Sequence, residues 1–240
     1  MNIDQFTHPF FSRATLMERG LNLHGLIDLD AVPKDVYDAL YSACDDLPSY
    51  CRVVLIGHGG RAMWDAVSDS FCFKVSQDPI DTFTVSALQQ FFSEFAPAMR
   101  YQIVYPGSAY VPLQKIGSML GWHNDSPFKL GLNAEWGSWF AYRALVLVNA
   151  KLPLTKPLRL SSPCDECETR PCQEACPPKA VSEHKFELQR CLIFRKEDNS
   201  LCHHKCLSRL ACPIGSDHQY SDAQMRYHYL QSLRVIKAGD

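Results

Sequence analysis

No apolar run in this 240-residue chain approaches the roughly 18 residues a membrane helix needs; the best are Val53–Ile56 and Ala144–Val148. A membrane partner is therefore not expected. Excess charge of one sign is also missing: 24 Lys and Arg stand against 26 Asp and Glu, a formal net charge of −2. Without a cationic surplus there is no counterion-release drive toward a polyanion, which disfavours a large nucleic-acid footprint. The opening MNIDQFTHPFF lacks a basic flank followed by an apolar stretch, so a secretory signal is not expected and the cytoplasm is the default address. Repeats, low-complexity segments and heptads are absent. What remains is 46% apolar and 21% charged, the mix of a globular protein long enough to bury a core.

Residues 1–160 read as a conventional core domain. Phe10, Phe11, Ala14 and Met17 recur at helical spacing before Gly20. A short strand is expected over Leu23–Leu29 and a helix over Pro33–Cys44, with Val36, Tyr37, Leu40 and Cys44 on one face. Arg52–Ile56 is a β-branched run closed by Gly57-His58-Gly59-Gly60, and a helix follows with Ala62, Met63, Ala66 and Val67 inward. Asp78-Pro79 opens another helix as a cap and first-turn proline, carrying Ile80, Phe83, Ala87, Phe91 and Phe95. Strands are expected around Tyr101–Tyr105, Phe128–Leu132 and Trp139–Val148. Interleaved helices and strands mean α/β or α+β, and periodicity alone does not choose between them.

After Pro153, Pro157 and Pro163 the composition changes, and residues 161–240 form a second expected domain. Eight of the eleven cysteines fall between Cys164 and Cys212, among eight acidic and eight basic residues and little apolar periodicity. Such a tract cannot hold itself together by burial alone, and without a secretion signal it reads as metal-binding rather than disulfide-bonded. Its first half is Cys164-x2-Cys167-x4-Cys172-x3-Cys176-Pro177; its second holds Cys191, Cys202-x3-Cys206 and Cys212-Pro213. Thiolates suit iron–sulfur clusters, zinc and copper(I). A cysteine followed by proline closes each half, as in two-cluster ferredoxins, where the fourth cysteine of one run ligates the other cluster. Applied here, that crossing assigns Cys164, Cys167, Cys172 and Cys212 to one 4Fe–4S cluster. Cys176, Cys191, Cys202 and Cys206 go to a second. Zinc, helped by His203 and His204, is one alternative, and a single cluster with spare thiols is another. Cys44, Cys51 and Cys72 are expected to be small buried residues. A helix from Ser221, with a Ser-x-x-Gln capping box to Gln224, closes the chain.

This cysteine pattern after a small α/β domain resembles epoxyqueuosine reductase and its cobalamin-dependent relatives. Trp136-Gly137-Ser138-Trp139-Phe140-Ala141-Tyr142-Arg143 resembles a segment of the cobalamin-processing (decyanase) family, as do Gly60-Arg61-Ala62-Met63-Trp64-Asp65 and Asp78-Pro79-Ile80-Asp81. The layout is also similar to short ferredoxin-type bacterial proteins. The resemblance spans roughly residues 50–213. It implies an α+β fold, a nitroreductase-like sandwich holding a corrinoid, with a ferredoxin-like two-cluster module at the C-terminal end. In epoxyqueuosine reductases an aspartate, taken as proton donor, begins the segment corresponding to Tyr105–Gln114; Tyr105-Pro106-Gly107-Ser108-Ala109-Tyr110 has no acid. Asn133-Ala134 stands where the decyanase segment has His-Pro. Only 28 residues follow Cys212, so the helical-repeat domain of those reductases is not expected.

These observations lead to an expected oxidoreductase that passes electrons through two 4Fe–4S clusters to a corrinoid, or failing that a flavin. The pocket candidates are Trp136, Gly137, Trp139, Phe140 and Arg143. Alternation would put Trp139, Ala141 and Arg143 on one strand face and Phe140 and Tyr142 on the other. Arg143, in an apolar strand, requires an acceptor partner. Gly57-His58-Gly59-Gly60 reads as a tight turn more readily than as a phosphate cradle, and His123 and Asp125 as a solvated loop. The expected partners are a redox protein or reductase and a small-molecule or corrinoid ligand. An electron carrier or docking module without its own catalytic site is the second reading, and epoxyqueuosine reduction the third.

Overall fold

The computed structural model describes residues 3–159, 161–182 and 185–238. The chain is α+β and divides into two compact units: Met1–His123 with Phe140–Arg159, and Asn124–Trp139 with Leu160–Asp240. Residues 124–139 thus cluster with the cysteine tract.

The first unit is built on a four-stranded antiparallel sheet in the order β1-β2-β4-β3, with β1 Leu23–Asp28, β2 Arg52–Gly59, β3 Tyr101–Tyr105 and β4 Phe140–Val148. The two longest apolar runs become its centre: Val53 pairs with Leu147 and Leu55 with Leu145, and every residue of Val53–Ile56 and Ala144–Val148 is fully buried. Strands covered on both faces lose the polar alternation of a half-exposed sheet. The helix Pro79–Phe95 begins at the expected proline and buries Phe83, Ala87, Leu88, Phe91 and Phe92. Phe95, at the last position, is exposed. In the helix Ala62–Ser68 it is Trp64, not Ala62, that turns inward beside Met63 and Val67.

Three expectations are corrected here. The N-terminal helix is a single turn, Ala14–Met17, and Phe11 lies outside it, stacked on Phe91 at 5.2 Å. Aromatic packing, not helical register, placed Phe11 in the core. Gly57-His58-Gly59 is not a turn: it continues β2 and pairs with Tyr142, Ala141 and Phe140 past a bulge at Ile56/Gly57. Cys44, Cys51 and Cys72 are half-buried rather than buried.

The second unit has no sheet among its described residues. Phe128–Leu132, expected as a strand, is a compact loop held by an isolated Asn124–Leu132 bridge. Lys129 takes a left-handed φ of 59° there, and Ser126 Oγ donates to the Leu130 carbonyl at 2.6 Å. Short helices at Pro171–Glu174, Leu188–Lys196 and Leu207–Ala211 precede the long helix Asp222–Ala238. Ser221 Oγ accepts from the Gln224 N–H at 3.2 Å, the forward half of the capping box. Cysteines share in the apolar core of this unit: Cys172, Cys176 and Cys212 are buried with Phe128, Leu132, Ala180 and Val181.

Candidate functional site

All eleven thiols are free. Eight of them meet in two places within the second unit. Cys164, Cys167, Cys172 and Cys212 line one small cavity, closed by prolines 127, 163, 171 and 213. Cys176, Cys191, Cys202 and Cys206 line a larger one of about 400 Å³. These are the two sets that crossed ligation pairs, and local structure explains the crossing. Cys206 precedes the helix Leu207–Ala211 and Cys212 follows it, so one helical turn and a half carries the chain from the second set to the first.

Six of the eight thiols are shifted, and the neighbouring cysteines that act on them belong to their own set. Burial pushes Cys172 up to about 11, and Cys212, Cys164 and Cys167 add to the rise. Burial likewise pushes Cys191 up to about 11, helped by Cys206, Cys176 and Cys202. Cys164, Cys202, Cys206 and Cys212 are raised mainly by burial as well. Thiols that resist ionisation this way become thiolates readily only when a cationic centre sits among them. Backbone amides already face the sulfurs: the Ala180 N–H donates to Cys176 Sγ at 3.3 Å. Among the described residues no three His, Cys, Asp or Glu stand close enough to hold a single metal ion; the thiols ring their cavities instead. Two tetrads of soft donors around separate cavities, with amides aimed at the sulfurs, fit iron–sulfur clusters.

The pocket candidates are divided between the units. Trp139 is fully buried in the second unit, with the Arg209 guanidinium 4.2 Å over its ring and Tyr220 at 5.4 Å. Trp136 packs on His218 at 4.3 Å. Gly137 has a left-handed φ of 57°, and a Cβ there would stand 1.9 Å from the Ile214 carbonyl oxygen. Core packing engages all three residues. Trp139 also lies just outside the strand, so it takes no part in the expected alternation.

Phe140 and Arg143 belong to β4 in the sheet unit. Phe140 packs against Tyr142 at 5.4 Å and His123 at 6.5 Å. Arg143 finds the acceptor its position demanded: its Nε donates to His58 Nδ1 at 3.0 Å. A guanidinium has no lone pair to offer, so Nδ1 of His58 is unprotonated. Asp81 lies within reach of the same charge; burial raises its pKa and Arg143 opposes the rise. Burial also raises Tyr105, with Asp81 adding and Arg143 opposing. Asp125 is exposed in the second unit while His123 belongs to the first.

Sequence reasoning missed Arg195 and Ser208, which line the cavity of the second set, and Arg209, whose charge acts on Cys206. A signal existed: Arg195 lies four residues after Cys191 on one helix, and Arg209 three after Cys206.

No family model matches the chain, and no curated protein matches it in sequence. Solved structures do. Epoxyqueuosine reductase from Bacillus subtilis superposes with a TM-score of 0.54 at 14% identity, over 92% of this chain and 68% of that one. The chain has the epoxyqueuosine reductase fold. A second structure of that enzyme, with an epoxyqueuosine-modified tRNA-Tyr stem loop, gives 0.50 at 14% identity over 94% and 69%. The C. elegans B12-trafficking protein CblC gives 0.45 at 15% identity over 89% and 88%. Epoxyqueuosine reductases, which the cysteine pattern resembles, thus stand among the structural neighbours, and the chain spans about two thirds of their length. Among the described residues no helix is long and apolar enough to cross a membrane.

Proposed function

We propose that this chain is an iron–sulfur oxidoreductase that passes electrons through two 4Fe–4S clusters to a corrinoid held by the sheet unit. The observation that carries the reading is the gathering of eight free thiols into two separate tetrads. When bound, the clusters supply one-electron transfer. The protein's own part is to hold the sulfurs apart around each cavity, donate amide hydrogen bonds to them and exclude water with the apolar lining. Arg143 and Phe140 are the remaining candidates for contact with the corrinoid, since the tryptophans are engaged elsewhere. Reductive removal of an upper cobalt ligand is the reaction to try first.

Anaerobically purified protein should carry about eight iron and eight sulfide per chain, the content of two cubanes. Titrating it, reduced, with a cobalamin should change the corrin absorption stoichiometrically. Zinc in place of iron overturns the electron-transfer reading. Clusters without any corrinoid response at tens of micromolar overturn the corrinoid part and leave an electron carrier or docking module. The fold likeness to a tRNA-bound reductase favours one further reading, epoxyqueuosine reduction, which an assay on the modified tRNA decides. A redox protein or reductase is the electron donor this scheme requires.

A further inference from the structure

The two thiol sets sit in different electrostatic surroundings. We propose that Arg195 and Ser208 give the cluster at Cys176, Cys191, Cys202 and Cys206 the higher reduction potential of the pair. The inference rests on the proposed reading that both sets hold clusters.

Arg195 is buried, one turn beyond Cys191 in the helix Leu188–Lys196. Two of its nitrogens are engaged: Nη1 donates to Ser232 Oγ at 3.2 Å and Nη2 to the Tyr229 carbonyl at 3.0 Å. Its Nε is buried without a partner, and so is the hydroxyl of Ser208, itself 1% exposed. Both residues line the cavity that the four thiols line. A buried donor left unmade is costly, so two in one cavity mark a place for an acceptor. The sulfurs of a cluster are anionic acceptors of that kind. None of the residues lining this cavity is Asp or Glu, so nothing there neutralises the guanidinium.

The first set also has a cation on its lining, Arg170, but that side chain is only half-buried and no pair of unpartnered donors accompanies it. Four prolines without N–H donors line its cavity, and none of its lining residues has a buried, unpartnered side-chain donor. The Arg170 charge near Cys164 is opposed by Asp165. Reduction adds one negative charge and moves no proton, so a fixed cation and donors at the sulfurs favour it at the second set alone.

The test is a redox titration of the iron-loaded protein, followed by electron paramagnetic resonance. Wild type should show two midpoint potentials. Arg195→Gln keeps a donor and removes the charge; Ser208→Ala removes a donor and keeps the charge. Each should lower the upper potential and leave the lower one unmoved, the arginine variant by more. If Arg195→Gln loses iron because the terminal helix is disturbed, Ser208→Ala decides alone. Iron-loaded protein with a single potential, with both unmoved in the variants, or with the lower one shifted overturns this inference and leaves the proposed function standing. A wild-type preparation without iron and sulfide overturns both.

Discussion

Arg209 lays its guanidinium 4.2 Å over the Trp139 ring while its Nη2 donates to the Ser138 carbonyl at 2.6 Å and its Nε to Ser138 Oγ at 3.2 Å. One planar cation thereby ties the helix Leu207–Ala211 to the segment 124–139. Tyr220 takes the same charge at 4.8 Å. An ammonium cannot reproduce both the stack and the two-point donation. Arg209→Lys should destabilise the cysteine unit by about 2 kcal/mol, read from urea unfolding followed by tryptophan fluorescence. An unchanged midpoint would refute this account of the contact.

Gly137 and Gly215 meet backbone to backbone. A Cβ on Gly137 would stand 1.9 Å from the Ile214 carbonyl oxygen, and one on Gly215 would stand 2.4 Å from the Gly137 nitrogen; both φ angles are left-handed. Gly137→Ala therefore suffers strain and a clash with backbone that cannot swing away. The expected loss is on the order of 3 kcal/mol or more. Because Ile214 follows Cys212-Pro213, the iron of the first set should fall with it. Thermal unfolding and iron content check both, and wild-type values in the alanine variant would contradict the geometry.

What the sequence made legible was local. The β-branched run Arg52–Ile56 and the Asp78-Pro79 start signal became a strand and a helix because pattern and capping act within a few residues. The grouping of thiols followed from spacing and the two Cys-Pro ends. What stayed hidden depended on distant partners. Trp136 and Trp139 looked like a ring-binding wall until His218 and Arg209, some seventy to eighty residues on, covered them. Gly57–Gly59 looked like a turn because glycine favours turns; the close approach of the Ala141 carbonyl at Gly57 is what makes it strand. Phe128–Leu132 has the composition of a strand, but among the described residues it pairs only through the isolated Asn124–Leu132 bridge.

His24 makes folding sensitive to acid. It is fully buried on β1, its Nε2–H donating to the Leu21 carbonyl at 2.6 Å, and burial pushes its pKa down to about 4, with the Leu21 bond opposing and His8 assisting. In the unfolded chain the ring titrates near 6.5. Between those values the unfolded state binds more protons, so stability is complete above about pH 6.5 and declines as pH falls toward 4. The contribution at stake is about 3 kcal/mol. His24→Gln keeps a donor for Leu21 and removes the titration, so its stability should vary less between pH 6.5 and 4, with the smaller slope of His8 remaining. Equal slopes in urea titrations of the two proteins would show that His24 is not the group responsible.

The crossed wiring of the thiols separates two substitutions that chain order would treat alike. Cys212 is six residues from Cys206, yet it lines the cavity of Cys164, Cys167 and Cys172, forty and more residues upstream. Cys191 lies between the halves and lines the cavity of Cys176, Cys202 and Cys206. If each tetrad holds a cluster, the metal closes long loops and contributes folding free energy to a unit whose small core includes Cys172, Cys176 and Cys212. Cys212→Ser should then deplete the first cluster and leave the second, with about half the iron retained. Cys191→Ser should do the reverse. Resonance spectra of the two reduced variants distinguish the survivors, and the potentials add a second reading: the signal kept by Cys212→Ser should belong to the upper midpoint and that kept by Cys191→Ser to the lower. Loss of the same signal in both variants would rule out the crossed assignment.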